Sequence, residues 1–235
     1  MKRLAFTLVA LYVITVRTAA LGANHPTLEL DDVLNQPVPH FALSQQSLFD
    51  GLTILSNRPK PFALGFESVL RPTFSAPAIP DPLLSLSLEN KTVREILDTL
   101  CNADGRYTWS TDGSFVNVYP VATIMDIAYL LNRELDMFHV DRVTHTDQVL
   151  LAIIRQLPPP KEQIAEVQFG GDASYPPEPW TQTFDHLTVR QAINQLAAHM
   201  GPRGSWFLQG SQDFRGFAFF KSGFRPVEKS SAETK

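Results

Sequence analysis

The chain has 235 residues, 44% of them hydrophobic and 19% charged, with a formal net charge of −4 at pH 7 and a single cysteine. A mildly acidic balance with no basic block excludes a dedicated nucleic-acid binder, whose phosphate contacts demand clustered Lys and Arg. One cysteine excludes an internal disulfide framework, so stability has to come from apolar cores, and the length allows one large domain or two small ones.

Lys2 and Arg3 precede the uncharged apolar run Leu4 to Val16, and small residues follow in TAALGA. This is the layout of a secretory signal peptide over residues 1–23, with cleavage expected after Gly22 or Ala23. The apolar run is shorter than the roughly 20 residues of a bilayer-spanning helix. No later stretch is apolar enough to span as a helix, so no membrane span is expected after cleavage, and the expected location is periplasmic or secreted.

From Leu34 the chain reads twice. Leu34-Asn35 aligns with Leu131-Asn132, Phe41 with Phe138, Leu43 with Val140, Ser47 with Thr144 and Asp50 with Asp147, at an offset of 97 (138 − 41). KTVREILDTL, ending at Leu100, aligns with LTVRQAINQL, ending at Leu196, at an offset of 96. HFALS and MFHVD alternate apolar and polar residues, as half-buried strands do. Ser47 and Thr144 are the expected N-caps of the helices that follow, each with an aspartate in the first turn. Leu48, Leu52 and Leu55 in one helix, and Leu150, Ile153, Ile154 and Leu157 in the other, recur helically, and prolines at 59 and 61 and at 158 to 160 stop them.

The middle of each copy is extended, PFALGFESVL and LLSLSLEN in the first, IAEVQFG and TQTFDHL in the second, with proline-rich connecting loops between. Thr92 with Glu95, and Thr188 with Gln191, fit the capping box. Val93, Ile96, Leu97 and Leu100 form an apolar stripe that Val189, Ala192, Ile193 and Leu196 repeat. A hairpin closes each copy, with Asp112-Gly113 at the first turn. The expectation is an α+β protein of two tandem βαββαββ modules, each with two helices packed on its own small sheet. Residues 33–120 form the first module, 121–130 a linker, 131–222 the second module and 223–235 a disordered polar tail.

The apolar strand, first helix, T-x-x-E-x-L-x-x-L second helix and closing hairpin resemble the secretin and TonB short N-terminal domain. The resemblance covers most of Phe41 to Tyr119 and, with more divergence, Phe138 to Phe220. It implies a periplasmic, non-catalytic interaction module that meets envelope proteins: a secretin, a TonB-dependent receptor or an anti-sigma regulator. No barrel strands or secretin domain follow the second module, so the expected protein is a freestanding envelope adaptor.

No chemical motif competes with this reading. The chain lacks HExxH, paired CxxC, GxSxG and phosphate-cradling glycine loops, and no catalytic, metal or cofactor residues are assigned. His139 is expected on the solvent side of its strand, His186 before a capped helix and His199 at that helix's end, where a positive charge suits the dipole. Cys101 continues the stripe of Leu97 and Leu100 and is expected as a buried small hydrophobe. The candidate partner-binding residues are Trp109, Trp180, Trp206, Phe217 and Phe219. The tryptophans also admit a carbohydrate- or peptide-binding protein, although Trp109 and Trp206 follow their helices at near-equivalent positions, which favours shared hairpin packing. The aromatic DFRGFAFF is expected as a core strand in preference to an exposed edge.

Overall fold

The computed structural model describes residues 30–73, 75–157, 164–169, 179–201, 203–212 and 215–221. The expected signal peptide, the prolines at 158 to 160, most of the second proline-rich loop and the polar tail lie outside them. The fold is α+β. In chain order come helix α1 (Leu30–Leu34), strand β1 (Pro37–Gln46), α2 (Leu48–Ser56), β2 (Ala63–Glu67), β3 (Leu84–Thr92), α3 (Val93–Ala103), and the hairpin β4 (Tyr107–Asp112) and β5 (Phe115–Pro120). After two single 3₁₀ turns come β6 (Glu134–Leu135), β7 (Phe138–Val143), α4 (Thr146–Gln156), β8 (Ile164–Phe169), β9 (Trp180–Phe184), β10 (Leu187–Thr188), α5 (Val189–Ala198), β11 (Gly204–Gly210) and β12 (Arg215–Lys221).

The same pairings occur in both halves. β1 runs antiparallel to β3 with Phe41 opposite Leu88, and β7 antiparallel to β9 with Phe138 opposite Phe184. The ladders shift register at matching places, between Leu43 and Gln46 and between Val140 and Val143. Gln45 and Arg142 have φ of 52° and 49° there, and Asn90 in β3 and His186, between β9 and β10, have 51° and 47°. Positive φ is uncommon in residues other than glycine, so four such angles at two pairs of equivalent positions reflect one backbone path taken twice. β2 lies parallel to β5, and β8 parallel to β12. β6 and β10 continue the second ladder as an interrupted counterpart of the first.

The halves do not keep separate sheets, contrary to expectation. β2 pairs in parallel with β11, giving one six-stranded sheet in the order β4-β5-β2-β11-β12-β8. A three-stranded sheet has two edges with unpaired backbone groups. Joining one edge from each half satisfies both rows, a long-range pairing that strand periodicity does not encode.

Residues 121–130 are likewise more than a spacer. Leu130 is fully buried and Tyr129 nearly so, and Asn132 Nδ2 donates to the carbonyls of Thr123 and Asp126. The cores also cross the halves: Ala63 and Phe115 pack with Leu208, Phe217 and Ile193, while Phe207 stacks on Phe49 at 4.7 Å.

Three of the four expected caps form as capping boxes, at Ser47/Asp50, Thr92/Glu95 and Thr188/Gln191. The fourth is corrected. The N-cap of α4 is His145, one residue after Thr144, and it makes no side-chain capping bond. The β4–β5 turn also sits one residue on, with Asp112 opposite Phe115 and Gly113 at φ 57°, a left-handed angle that glycine adopts without strain.

Candidate functional site at two equivalent strand edges

Of the five candidate partner-binding residues, four face inward. Trp206, Phe217 and Phe219 are essentially without exposure, and Trp180 is buried with His199 stacked on its ring at 3.9 Å. Trp206, Phe217 and Phe219 lie on β11 and β12, interior strands of the joined sheet, whereas Trp180 begins β9 in the β7–β9 ladder and packs on Phe184. DFRGFAFF is thus a core strand over its described residues. A three-tryptophan sugar platform does not exist. Only Trp109, in β4, remains half-buried at a surface.

That surface has a counterpart inside the molecule. Trp109 and Trp206 occupy equivalent positions, as do Asp98 and Asn194 on the preceding helices. Trp109 Nε1 donates to Asp98 Oδ1 at 2.8 Å, and Trp206 Nε1 donates to Asn194 Oδ1 at 2.7 Å. Arg94 and Arg190, the arginines of the two TVR segments, also correspond, as do Thr108 and Ser205. The two halves therefore carry the same edge: a helix offering an arginine and an Asp or Asn, and a strand offering a hydroxyl and a tryptophan.

In the second half this edge is occupied by β2. Gly65 sits opposite Trp206 and Glu67 opposite Leu208. Leu64 N–H donates to Ser205 Oγ at 3.0 Å, and Ser68 N–H to the Leu208 carbonyl at 2.9 Å. A Cβ on Gly65 would stand 2.7 Å from the Trp206 indole and closer still to Asn117. Only glycine admits so close an approach of backbone to ring. Glu67, fully buried, receives both Arg190 Nε at 2.5 Å and Nη2 at 3.2 Å. Arg190 also donates to Asn132 Oδ1 at 2.8 Å and lies 4.7 Å from the Tyr119 ring centroid. Burial pushes the Glu67 carboxyl above its usual range, opposed by the Arg190 bond and charge, and Tyr129 beside it is also raised by burial. Beside this cluster lies a cavity of about 340 Å³ lined by Ser68, Leu70, Asp126, Tyr129 and Arg215, among others.

In the first half no described strand lies along the same edge. β4 ends the sheet, and a groove of about 470 Å³ runs between it and α3, lined by Arg94, Asp98, Cys101 and residues 107–111. The Arg106 carbonyl accepts from Val121 N–H on the β5 side, so by strand alternation Trp109 and Thr111 turn their main-chain groups outward. Arg94 lies 5.6 Å from the Trp109 ring centroid and pairs with Asp31 at 2.9 Å, with both side chains exposed. Sequence reasoning singled out Trp109 but not Arg94, although the repeated TVR carried the signal.

The groove's thiol is not a nucleophile in waiting. Cys101 is buried, and burial, with the charges of Asp98 and Asp104, pushes it up to about 12, far from thiolate reactivity at neutral pH. His139 is exposed and hydrogen-bonds Thr183 Oγ1 at 3.0 Å, while His186 stands 3.6 Å from Asp185. His199 does not carry the expected helix-end charge: burial lowers its pKa and favours the neutral ring. Among the described residues no group of three or more His, Cys, Asp or Glu is placed to hold a metal ion, and no helix is long and apolar enough to cross a membrane. Compared with protein-family models, curated proteins and solved structures, the chain matches none.

Proposed function

We propose that this chain is a non-enzymatic interaction protein of the cell envelope, exported by its N-terminal segment and built from two tandem modules similar to the secretin and TonB short N-terminal domain. One observation carries the reading. The second module already performs recognition of a protein strand, holding β2 of the first by parallel backbone pairing, a glycine-on-tryptophan contact and a buried Glu67–Arg190 pair. A fold whose edge is built to bind a strand is suited to bind other proteins. The repeated pairings, register shifts and positive-φ positions support duplication of a single module.

Export and recognition are tested together in the source organism. A photoreactive amino acid placed in turn at exposed positions of both modules is expected to cross-link a defined envelope protein, and fractionation is expected to place the mature chain outside the cytoplasm. Retention in the cytoplasm with residues 1–23 intact would remove the envelope assignment. Absence of any specific cross-link from every position would remove the adaptor assignment. A peptide-binding form of the same activity is favoured by the open groove at β4, whereas carbohydrate stacking has lost two of its three tryptophans to the core.

A further inference from the structure

Within the interaction-module reading, on which this step rests, the molecule contains its own template for a partner. We infer that the β4 edge docks an extended segment of another protein, paired in parallel with β4, that sets a small residue on Trp109 and an acidic residue two positions later at Arg94.

The argument is the equivalence of the two edges. β11 and β4 follow matching helices, and Ser205, Trp206, Asn194 and Arg190 are matched by Thr108, Trp109, Asp98 and Arg94. What fills the second edge is the sequence Leu64-Gly65-Phe66-Glu67, with the contacts of Leu64, Gly65 and Glu67 at matched residues. At the first edge the same groups are present and no strand lies beside them among the described residues. An open row of main-chain donors and acceptors is a template for strand addition. Among the described residues Arg94 is ion-paired there with Asp31, an exposed pair of the kind that contributes little, so an incoming carboxylate displaces Asp31 at low cost while Arg94 stays beside the Trp109 ring.

The occupant is not supplied by this chain's own strands. β2 is committed to the seam. The free edge of a second copy, β8, has the wrong sequence at the critical register. Phe66 faces Val118, and Phe169 faces Phe219, so the residue matching Gly65 is Gln168, and its Cβ would meet the Trp109 ring as one on Gly65 would meet Trp206. Ser110 stands where Phe207 meets Phe66 in a tilted ring contact at 5.4 Å, so the partner's middle residue need not be aromatic. The recognition element is therefore small-x-acidic in an extended segment of a different protein.

The probe is a labelled peptide carrying the β2 sequence FALGFES between flanking lysines, titrated into the full mature chain and followed by anisotropy. Saturable binding is expected. Replacing the peptide's glycine by valine, or Arg94→Glu in the protein, is expected to weaken it about tenfold or more. A peptide with lysine in place of its glutamate is expected to restore binding to the Arg94→Glu protein. A benzophenone at the peptide's second phenylalanine is expected to cross-link residues 107–111. No binding, equal binding of the glycine and valine peptides, or cross-links to β11 would each overturn the assignment, and the peptide arms need no folded variant. Concentration-dependent self-association of the chain through β4 would also overturn it in favour of a second copy. If the peptide fails while envelope cross-links form elsewhere, the β4 assignment falls and the interaction-module reading stands.

Discussion

Thr92 and Thr188 show how a repeated motif can be a folding signal. Each hydroxyl accepts from the backbone three residues on, and each Glu95 or Gln191 reaches back to the cap's own N–H. Thr92→Ala and Thr188→Ala are each expected to cost about 1 kcal/mol, read as a shift in urea midpoint at unchanged slope. His199 makes the second residue-scale prediction. Burial against Trp180 holds its pKa below the ordinary 6.5, so between that lower value and 6.5 the unfolded chain binds more protons than the folded one. Stability from this group is complete above 6.5 and is lost as pH falls through that window. The stability difference between wild type and His199→Phe, which keeps an aromatic ring against Trp180, is expected to change as the pH falls below 6.5, to the relative detriment of wild type. A difference independent of pH would show that His199 is not the partly buried ring, favoured in its neutral form, described above.

At the scale of the element, the β2–β11 pairing decides most. Gly65→Val is expected to force the Trp206 indole or Asn117 aside at a cost of about 1–3 kcal/mol, as overpacking does. Arg190→Met removes the cation from a carboxylate with no exposure, and stranding a buried charge costs about 3–5 kcal/mol. The double variant Glu67→Leu/Arg190→Met is expected to lose much less than the sum of the two single changes, because no charge remains to be stranded. Additive losses would mean that the two groups are not coupled across the seam. β4 tests the opposite situation: Arg94, at the equivalent position but with an exposed partner, is expected to change stability by under about 1 kcal/mol on conversion to Met.

For the molecule as a whole, a shared sheet and cores that cross the halves predict a single unfolding event. Urea unfolding followed by tryptophan fluorescence and by far-ultraviolet circular dichroism is expected to give coincident transitions. Two separated transitions would show that the halves are independent in spite of the six-stranded sheet. The residues that cross the seam, Ala63, Phe115 and Phe207, are the ones whose truncation is expected to lower the common midpoint.

Local order was legible in the sequence. Helical stripes at Val93 to Leu100 and Val189 to Leu196, the capping boxes, the hairpin and the α+β class are written in neighbours three or four residues apart or in alternation, and the structure keeps them. The constant offset also pointed to matching positions, and Trp109 and Trp206 do match. Their environments were not legible: one tryptophan stays at an edge and the other is sealed in the core, though sequence spacing treats them alike. The difference arises because β2, while staying paired with β5, also pairs along β11, a contact between residues about 140 positions apart whose worth depends on a glycine opposite a ring and a glutamate opposite an arginine. Short-range periodicity reports which face of a strand is apolar. Which edge of a strand is covered is a property of main-chain groups that every residue carries, so only the tertiary structure decides it.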